Sequence, residues 1–258
     1  MSDSADDKVL VERRGAVQII TINRPEARNA LDASVARGVA DAVDELDASD
    51  DLRAAVLTGV GGFFSAGMDL KAFLRGETPA IEGRGLCGIT QRPPRKPLIA
   101  AVEGGALAGG FELVLACDLV VAGRGARFGV PEVKRSLVAA GGAALLLPQR
   151  VPRAVALELL LTGEPIDAER AAAVGLVNRV VDEGTALDAA VQVADLIAGN
   201  GPLAVAATKK VVQSAVSWSP GEMWERQDAI VRPVFASEDA REGSTAFAER
   251  RPPVWRGR

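Results

Sequence analysis

The sequence has no histidine and no tyrosine among its 258 residues, and aromatic residues make up only 4% of it. These absences exclude every mechanism that needs an imidazole base or a phenol, including Ser-His-Asp hydrolysis, histidine-ligated zinc and tyrosine general acids. Chemistry in this chain must therefore come from carboxylates, lysine, cysteine or backbone amides.

Cysteine is scarce as well. Cys87 and Cys117 are the only two, which is too few for the disulfide framework of a secreted protein. Cys117 ends an apolar stretch and is expected to pack as a small hydrophobic residue. Cys87 lies in a glycine-rich segment and is a candidate for exposure to solvent.

The chain also lacks long hydrophobic runs and an excess of basic residues. No apolar run approaches the roughly 20 residues that span a bilayer, and residues 1–7 are polar and acidic, unlike a signal or transit peptide. The 30 basic and 34 acidic residues give a net charge of -4, so no basic excess is available to hold nucleic acid or an anionic membrane. The sequence predicts a soluble, cytoplasmic protein with no nucleic-acid or membrane partner.

Hydrophobic periodicity predicts an α/β core in residues 1–183 and a helical region in residues 184–258. Strand-strand-helix units recur through the core, which favours a spiral of repeated ββα units over a doubly wound sheet. Residues 75–96 are rich in glycine, proline and arginine, show no period, and are expected to form a mobile, functional loop. The predicted strands cover residues 9–13, 16–22, 54–58, 98–103, 119–122 and 176–181; the predicted helices follow Asp32 and cover residues 69–74, 110–116, 153–161, 168–174, 186–198, 203–216 and 220–235.

Two glycine-rich segments fail to match nucleotide-binding motifs. Residues 58–64 follow a predicted strand but lack the third glycine of a dinucleotide-binding loop. Residues 105–110 have the spacing of a P-loop, yet Phe111 and Glu112 stand where lysine and serine or threonine are required. The sequence therefore argues against a bound dinucleotide, ATP or GTP.

Two glutamates lie where a carboxylate is costly unless it has a function or a partner. Glu112 follows the small residues 104–110 near the start of an apolar predicted helix, and Glu132 follows Pro131. Small residues let a ligand approach the backbone, and a helix N-terminus offers free N–H groups to a developing negative charge. Taken singly, Glu112 could be a satisfied buried carboxylate and Glu132 a surface residue; together they predict acid–base chemistry beside an oxyanion site.

Four ordered segments, residues 23–31, 64–70, 104–112 and 128–132, resemble motifs of the crotonase superfamily, and specifically of the enoyl-CoA hydratases. The resemblance extends over nearly the whole chain. It implies the ClpP/crotonase-like spiral of repeated ββα units with a helical C-terminal region that mediates trimerisation; hexamers made from two trimers are common in such proteins. It also implies an acyl-CoA thioester substrate and neither a metal nor a redox cofactor.

The same resemblance assigns the site residues. Glu112 and Glu132 become the catalytic pair, and the backbone N–H groups of Ala66 and Gly109 become the oxyanion hole. The coenzyme A portion is expected along residues 24–30 and the bend at residues 65–69, with an arginine near its phosphates. The segment of Phe247 is expected near the adenine, which in some relatives is the adenine bound by a neighbouring subunit. The substrate-binding residues implied in this way are Arg24, Arg28, Ala30, Ser65, Ala66, Gly67, Met68, Asp69, Leu70, Gly109, Phe247 and Arg250.

The implied activity is reversible hydration of a trans-2-enoyl-CoA to a 3-hydroxyacyl-CoA. Glu112 is the expected base that activates water, and Glu132 the expected acid that protonates Cα. The alternatives within the superfamily are Δ3-Δ2 enoyl-CoA isomerisation, whose enzymes often lack an acid at the Glu112 position, and carnitinyl-CoA dehydration. A non-enzymatic alternative is a catalytically inactive trimeric binding scaffold, which the retention of both glutamates disfavours.

Two segments depart from the superfamily pattern. Ala108 stands where many relatives carry glycine, and it is expected to have ordinary helix-start angles. Residues 137–146 replace a proline-glycine turn and a Thr-Gln-Arg run of typical hydratases. The acyl pocket is therefore expected to differ from that of the short-chain mitochondrial enzymes, with crotonyl-CoA a poor substrate and residues 75–96 setting the acyl preference.

Overall fold

The structure is a computed structural model that describes residues 7–258. The acidic N-terminal segment considered above lies outside these residues, apart from Asp7. The strands are β1 (Val9–Arg14), β2 (Val17–Ile22), β3 (Ala54–Gly59), β4 (Ala80–Ile81), β5 (Gly85–Leu86), β6 (Leu98–Val102), β7 (Gly105–Leu107), β8 (Leu119–Gly123), β9 (Arg127–Gly129), β10 (Ile166–Asp167) and β11 (Arg179–Val181). The α-helices are α1 (Ala33–Ala48), α2 (Leu70–Leu74), α3 (Gly109–Ala116), α4 (Ala143–Arg150), α5 (Arg153–Thr162), α6 (Ala168–Ala173), α7 (Ala186–Ala198), α8 (Pro202–Ala215), α9 (Met223–Phe235) and α10 (Glu238–Glu249).

Two sheets carry the fold. The larger has six strands in the order β1-β2-β3-β6-β8-β11. Its first two strands form an antiparallel hairpin, and the other neighbours pair in parallel. The smaller sheet has the order β10-β9-β7, in which β7 and β9 are parallel.

Successive turns of the chain place one strand in the large sheet and the next in the small one. Strand β6 leads to β7 and then to α3, and β8 leads to β9 and a 3-10 turn at Pro131–Arg135. After β3, Ser65 makes a parallel bridge to Ala106 of β7 and so takes the equivalent place. The predicted spiral of ββα units is therefore confirmed. Because these short segments run in parallel, the residues that follow them meet at one edge of the small sheet.

Helix α1 illustrates how local sequence fixes the elements around this edge. Asp32 caps it: the Asp32 side chain accepts hydrogen bonds from the backbone N–H groups of Ser34 and Val35, at 3.0 and 2.9 Å. The apolar residues at helical spacing from Val35 to Leu46 are buried in the main core, as predicted. This helix thus fixes the position of the loop that precedes it, which contributes to the site.

The segment of residues 75–96 is more ordered than its composition predicts. It contains the antiparallel hairpin of β4 and β5, and its residues Leu86, Cys87 and Ile89 are buried in the main core. The expectation that Cys87 is exposed is wrong, since its side chain is fully buried, and this burial raises the pKa of the thiol. A two-residue strand is too short to produce a periodic pattern, which explains the difference.

Helix α7 covers the face of the large sheet opposite α1. Its residues Ala190 and Ala194 pack in a second apolar cluster with Ile19, Val56 and Ile99 of the sheet. By packing, α7 belongs to the α/β core, so the division predicted at residue 183 assigns one core helix to the helical region.

Beyond α7, helix α8 is tied to the sheet by Lys209, whose ammonium lies 2.6 Å from the carboxylate of Asp118. Helix α10 is absent from the sequence prediction, because its sequence contains few apolar residues; only Asp239 and Ala246 are buried on it. Among the described residues, no single helix is long and apolar enough to cross a membrane; α7 and α8 meet such a criterion only together, as a pair bent by 109°.

Candidate active site

In the bend after β3, a bridge to Leu31 sets the direction of the backbone N–H group of Met68. Leu31 makes a parallel bridge with Met68: the Leu31 N–H donates to Gly67 O at 2.8 Å, and the Asp69 N–H donates to Leu31 O at 2.9 Å. In a parallel bridge, the bonds to Leu31 come from the two neighbours of Met68, and Met68 directs its own N–H and C=O to the side away from Leu31. The Met68 N–H therefore points away from Leu31.

The first turn of α3 lies on that opposite side. Gly109 is the first residue of the helix, so its N–H has no partner within the helix. A Cβ added to Gly109 would lie 3.5 Å from the Met68 nitrogen, and a Cβ added to Gly67 would lie 2.8 Å from the Gly109 nitrogen. The two backbone nitrogens are thus neighbours across a gap that only glycine leaves open.

This geometry corrects the prediction for Ala66. The Ala66 N–H donates to the carbonyl oxygen of Arg28 at 2.9 Å and is already used within the fold. The donor that lies beside Gly109 belongs to Met68, two residues further along. Residue spacing could not separate these two, because the direction of each N–H depends on the bridge to Leu31.

Ala108, directly before α3, has an uncommon backbone conformation. Its φ is 51° and its ψ is -127°, a region that residues with a Cβ rarely occupy. The expectation of ordinary helix-start angles is therefore wrong. The conformation orients the start of α3, since Ala108 N–H donates to Gly129 O at 2.9 Å while its carbonyl accepts from Phe111 and Glu112.

Glu112 lies one turn into α3 and is almost fully buried, with 4% of its surface exposed. One carboxylate oxygen accepts a hydrogen bond from the Ala143 N–H, at 3.0 Å, at the start of α4. The other lies against Gly141, where an added Cβ would be 2.3 Å away. Burial raises the pKa of the Glu112 carboxyl, and the N–H groups at the start of α4 oppose that shift only in part.

Glu132 lies in the 3-10 turn that follows β9. Its Oε2 is buried and has no hydrogen-bond partner among the described residues, an arrangement that is costly for a protein unless a ligand or water completes it. Burial raises the pKa of Glu132, and the charge of Glu112 raises it further. The two carboxyl groups therefore interact, because a negative charge on Glu112 makes ionisation of Glu132 less favourable.

Arg24, predicted to bind coenzyme A, has partners within the fold. Its guanidinium lies 3.0 Å from the Asp69 carboxylate and 3.3 Å from that of Asp32, and it donates to the Ala30 carbonyl at 2.6 Å. These partners occupy its hydrogen-bonding groups. Arg24 and Asp69 thus link the loop before α1 to the bend that carries Met68.

Ser65 and Asn29, like Arg24, hold the loop before α1 and the bend after β3 in place. Ser65 is fully buried; its hydroxyl donates to Asn29 O at 2.8 Å and accepts from Gly67 N–H at 3.1 Å. The buried Asn29 side chain donates to the carbonyls of Val60 and Phe63, at 2.9 and 2.6 Å. Asn29 is absent from the predicted site residues, although its backbone, like that of Arg28, has the left-handed conformation of a constrained loop.

The remaining predicted residues differ in exposure. Arg28 is exposed, with its guanidinium 5.9 Å from the centre of the Phe63 ring, and Leu70 is half exposed at the start of α2. Phe247 and Arg250 lie at the C-terminal end of α10, and Phe247 is 88% exposed. Within the part of the chain that the structure describes, no hydrogen bond or ion pair joins Phe247 or Arg250 to the glutamates or to the bend after β3. Contact of these two residues with the adenine therefore stays a prediction.

Leu86, which the sequence does not single out, lies next to both parts of the site. Its Cδ2 is 3.2 Å from the position of a Cβ on Gly109 and 3.2 Å from that of a Cβ on Gly141. The site thus combines two adjacent N–H donors, two interacting carboxyl groups and an apolar side chain between them. Such a site can stabilise an oxyanion and move protons on neighbouring carbon atoms. Residues 7–258 contain no cluster of three side chains that could hold a metal ion.

Comparison with known proteins agrees with this class of site. The model of the enoyl-CoA hydratase/isomerase family matches residues 12–258. A crystal structure of an enoyl-CoA hydratase from Mycobacterium tuberculosis superposes with a TM-score of 0.97 at 59% identity, covering 98% of this chain and all of that one. Enoyl-CoA hydratase EchA19 of M. tuberculosis is 43% identical, with 96% of both chains covered, and carnitinyl-CoA dehydratase of Citrobacter koseri is 41% identical, with 95% of this chain and 97% of that one covered.

The chain belongs to the enoyl-CoA hydratase/isomerase family, within the crotonase superfamily. The resemblance inferred from its four motifs is confirmed, as is the crotonase fold.

The strained backbone of Ala108 predicts that glycine at this position raises the free energy of unfolding. Ala108→Gly is expected to stabilise the folded protein by about 1 kcal/mol, because relief of roughly 1–3 kcal/mol of strain exceeds the roughly 0.4–1 kcal/mol that glycine costs through the unfolded state. Thermal unfolding should show a Tm higher by roughly 2–4 °C. Ala189→Gly, inside α7, is the control and should lower the Tm; a lower Tm for Ala108→Gly as well would contradict the strain.

The raised pKa of Glu112 predicts how stability depends on pH. The folded state holds this proton more tightly than the unfolded state, so wild-type stability falls as pH rises from the ordinary value of 4.5 through the folded-state pKa. Glu112→Gln removes that loss and can still accept from Ala143. The Tm of the variant minus that of wild type should grow from pH 4.5 to pH 8. A difference that is constant with pH would refute the inference; Glu82→Gln, at an exposed position, is the control substitution.

Proposed function

We propose that the protein is an enoyl-CoA hydratase that adds water reversibly to a trans-2-enoyl-CoA and gives a 3-hydroxyacyl-CoA. The observation that carries this proposal is the pairing of the Met68 and Gly109 nitrogens beside the interacting carboxyl groups of Glu112 and Glu132. Either half alone occurs in many proteins. Together they supply what hydration of a thioester needs: a site for the enolate oxygen, a base and an acid.

The oxyanion part of the reaction uses backbone donors. When water attacks Cβ, negative charge moves to the thioester oxygen, and the N–H groups of Met68 and Gly109 are assigned to bind it. The position of Gly109 at the start of α3 adds the positive end of the helix dipole. Loss of one such donor typically raises a barrier by roughly 3–4 kcal/mol, so their alignment has a large effect on rate.

The two glutamates divide the proton transfers. Glu112, which accepts an N–H from Ala143, is assigned as the carboxylate that takes a proton from water. Glu132 is assigned as the protonated acid that delivers a proton to Cα, because both burial and the charge of Glu112 favour its neutral form. Dehydration reverses these roles.

The proposal also covers the binding of coenzyme A, the cofactors and the assembly of the protein. Arg28 is the exposed arginine available to the coenzyme A phosphates, and neither a metal nor a redox cofactor takes part. We also propose a cytoplasmic trimer or hexamer. Large exposed apolar side chains on the last three helices, or directly after one of them, support self-association, since exposed apolar surface of this kind marks interfaces. They are Val212, Val216, Trp224, Phe235 and Phe247.

Carnitinyl-CoA dehydration is the second candidate, supported by the similarity to the dehydratase of C. koseri. Its acyl group carries a trimethylammonium cation, which proteins commonly bind on aromatic faces. The aromatic residues Phe111 and Phe128 are fully buried, however, and the side chains next to Gly141 and Gly142, where Glu112 is bound, include Leu86 and Leu146. These surroundings favour an uncharged, aliphatic acyl group.

The choice between the two candidates can be measured directly. Wild-type protein is expected to hydrate an aliphatic trans-2-enoyl-CoA with a kcat/KM at least tenfold above that for dehydration of carnitinyl-CoA, because the apolar wall offers the cation no partner. A preference for carnitinyl-CoA would reverse the assignment.

Replacement of each glutamate tests the mechanism. Glu112→Gln and Glu132→Gln should each lower kcat by roughly 10²–10⁴-fold while acyl-CoA binding persists, since a proton-transfer group is lost and the volume is kept. Loss of the enoyl-thioester absorbance reports hydration across a panel of chain lengths, with Glu82→Gln as the control.

Three outcomes would contradict the proposal. Near-normal hydration by either glutamate variant would disprove the role of that glutamate. No hydration by wild type, together with turnover of a 3-enoyl-CoA, would indicate an isomerase. Binding without any turnover would indicate an inactive scaffold.

A further inference from the structure

Leu86 is held rigidly at the end of strand β5. Its backbone N–H donates to the hydroxyl of Thr90 at 2.9 Å, and its side chain is 7% exposed. The hairpin that carries it packs into the main core through the neighbouring Cys87 and Ile89. The position of the Leu86 side chain is therefore fixed by the fold.

The Leu86 side chain lies between the two halves of the site. One of its methyl groups is 3.2 Å from the position of a Cβ on Gly109, which supplies an oxyanion donor, and equally far from that of a Cβ on Gly141. Gly141 in turn lies against the Glu112 carboxylate. Leu86 is thus among the three nearest contacts of both Cβ positions.

The acyl group must pass along this methyl group. Its carbonyl oxygen is placed at Gly109, and its Cβ is placed where Glu112 and Glu132 reach it. The two atoms that connect these points are the thioester carbon and Cα, and of these only Cα can carry a further substituent. An apolar side chain fixed on one side of Cα leaves little room for a substituent there, and close packing makes even one added methyl group unfavourable.

We propose that Leu86 is a specificity-determining residue that restricts the site to acyl groups without a substituent at Cα. This inference rests on the proposed hydratase function. Leu86 makes no proton transfer and offers no hydrogen bond to the reaction; it selects substrates by shape alone.

The test compares one pair of substrates in several variants. The pair is the unbranched trans-2-enoyl-CoA that wild type hydrates fastest and the 2-methyl derivative of the same compound. Wild type should favour the unbranched member in kcat/KM, and Leu86→Ala should reduce that preference by roughly 10-fold or more, the scale of discrimination for one methyl group. Comparing the ratio between variants cancels the intrinsic reactivity of the two substrates.

Two further variants separate selection from loss of stability. Leu86→Val removes less volume and should reduce the preference by a smaller factor, so the test survives if Leu86→Ala fails to fold. Ile81→Ala, on the other strand of the same hairpin and also packed against the core, is the matched control and should leave the preference unchanged. An unchanged preference in folded Leu86→Ala or Leu86→Val, or an equal reduction in Ile81→Ala, overturns the proposal.

A binding measurement distinguishes failure of this inference from failure of the proposed function. Propanoyl-CoA and 2-methylpropanoyl-CoA differ only by a methyl group at Cα and need no turnover. Calorimetry should show tighter binding of propanoyl-CoA to wild type and a preference reduced roughly tenfold in Leu86→Ala. If no enoyl-CoA is hydrated, the hydratase proposal fails, and this comparison still decides the role of Leu86: equal ratios in both proteins contradict it.

Discussion

The close packing of the bend after β3 against the first turn of α3 is the contact on which the rest of the site depends. A Cβ on Gly67 would lie 2.7 Å from the Ala108 Cβ, and a Cβ on Gly110 would lie 2.4 Å from the Ser65 carbonyl oxygen. Two backbones can approach this closely only where one of the two facing residues is glycine. The approach sets the distance between the Met68 and Gly109 nitrogens, and the same helix carries Glu112. The spacing of donors and base is therefore built into one pair of elements.

Several features around this contact are unfavourable for stability and useful for chemistry. Ala108 has a strained backbone, Glu112 has a buried carboxyl group with a raised pKa, and Glu132 has a buried oxygen without a partner. A protein that needed only to fold would replace all three. The network of Arg24, Asp69 and Asn29 compensates by fixing the surrounding loops with many hydrogen bonds. Such a concentration of local costs at one place is typical of functional sites.

The sequence is informative wherever a feature is local. Asp32 and Asp69 cap helices that begin where the sequence predicts them, the periodic helices are confirmed, and the four motifs identify the family. The misses around the site depend on long-range pairing. Strands β7 and β9 have three residues each and are recognisable only through one another. The choice of Met68 over Ala66 depends on the bridge to Leu31. The proximity of Leu86 to Gly109 and Gly141 follows from a hairpin that no periodic pattern reveals.

The central claim is that the thioester oxygen is bound by the N–H groups of Met68 and Gly109. The most direct measurement is a crystal structure of the Glu112→Gln variant with a trans-2-enoyl-CoA bound. The account predicts the thioester oxygen at about 2.7–3.1 Å from both nitrogens, with the Ala66 N–H still donating to Arg28. An oxygen bound instead to the Ala66 N–H, or to neither Met68 nor Gly109, would contradict it.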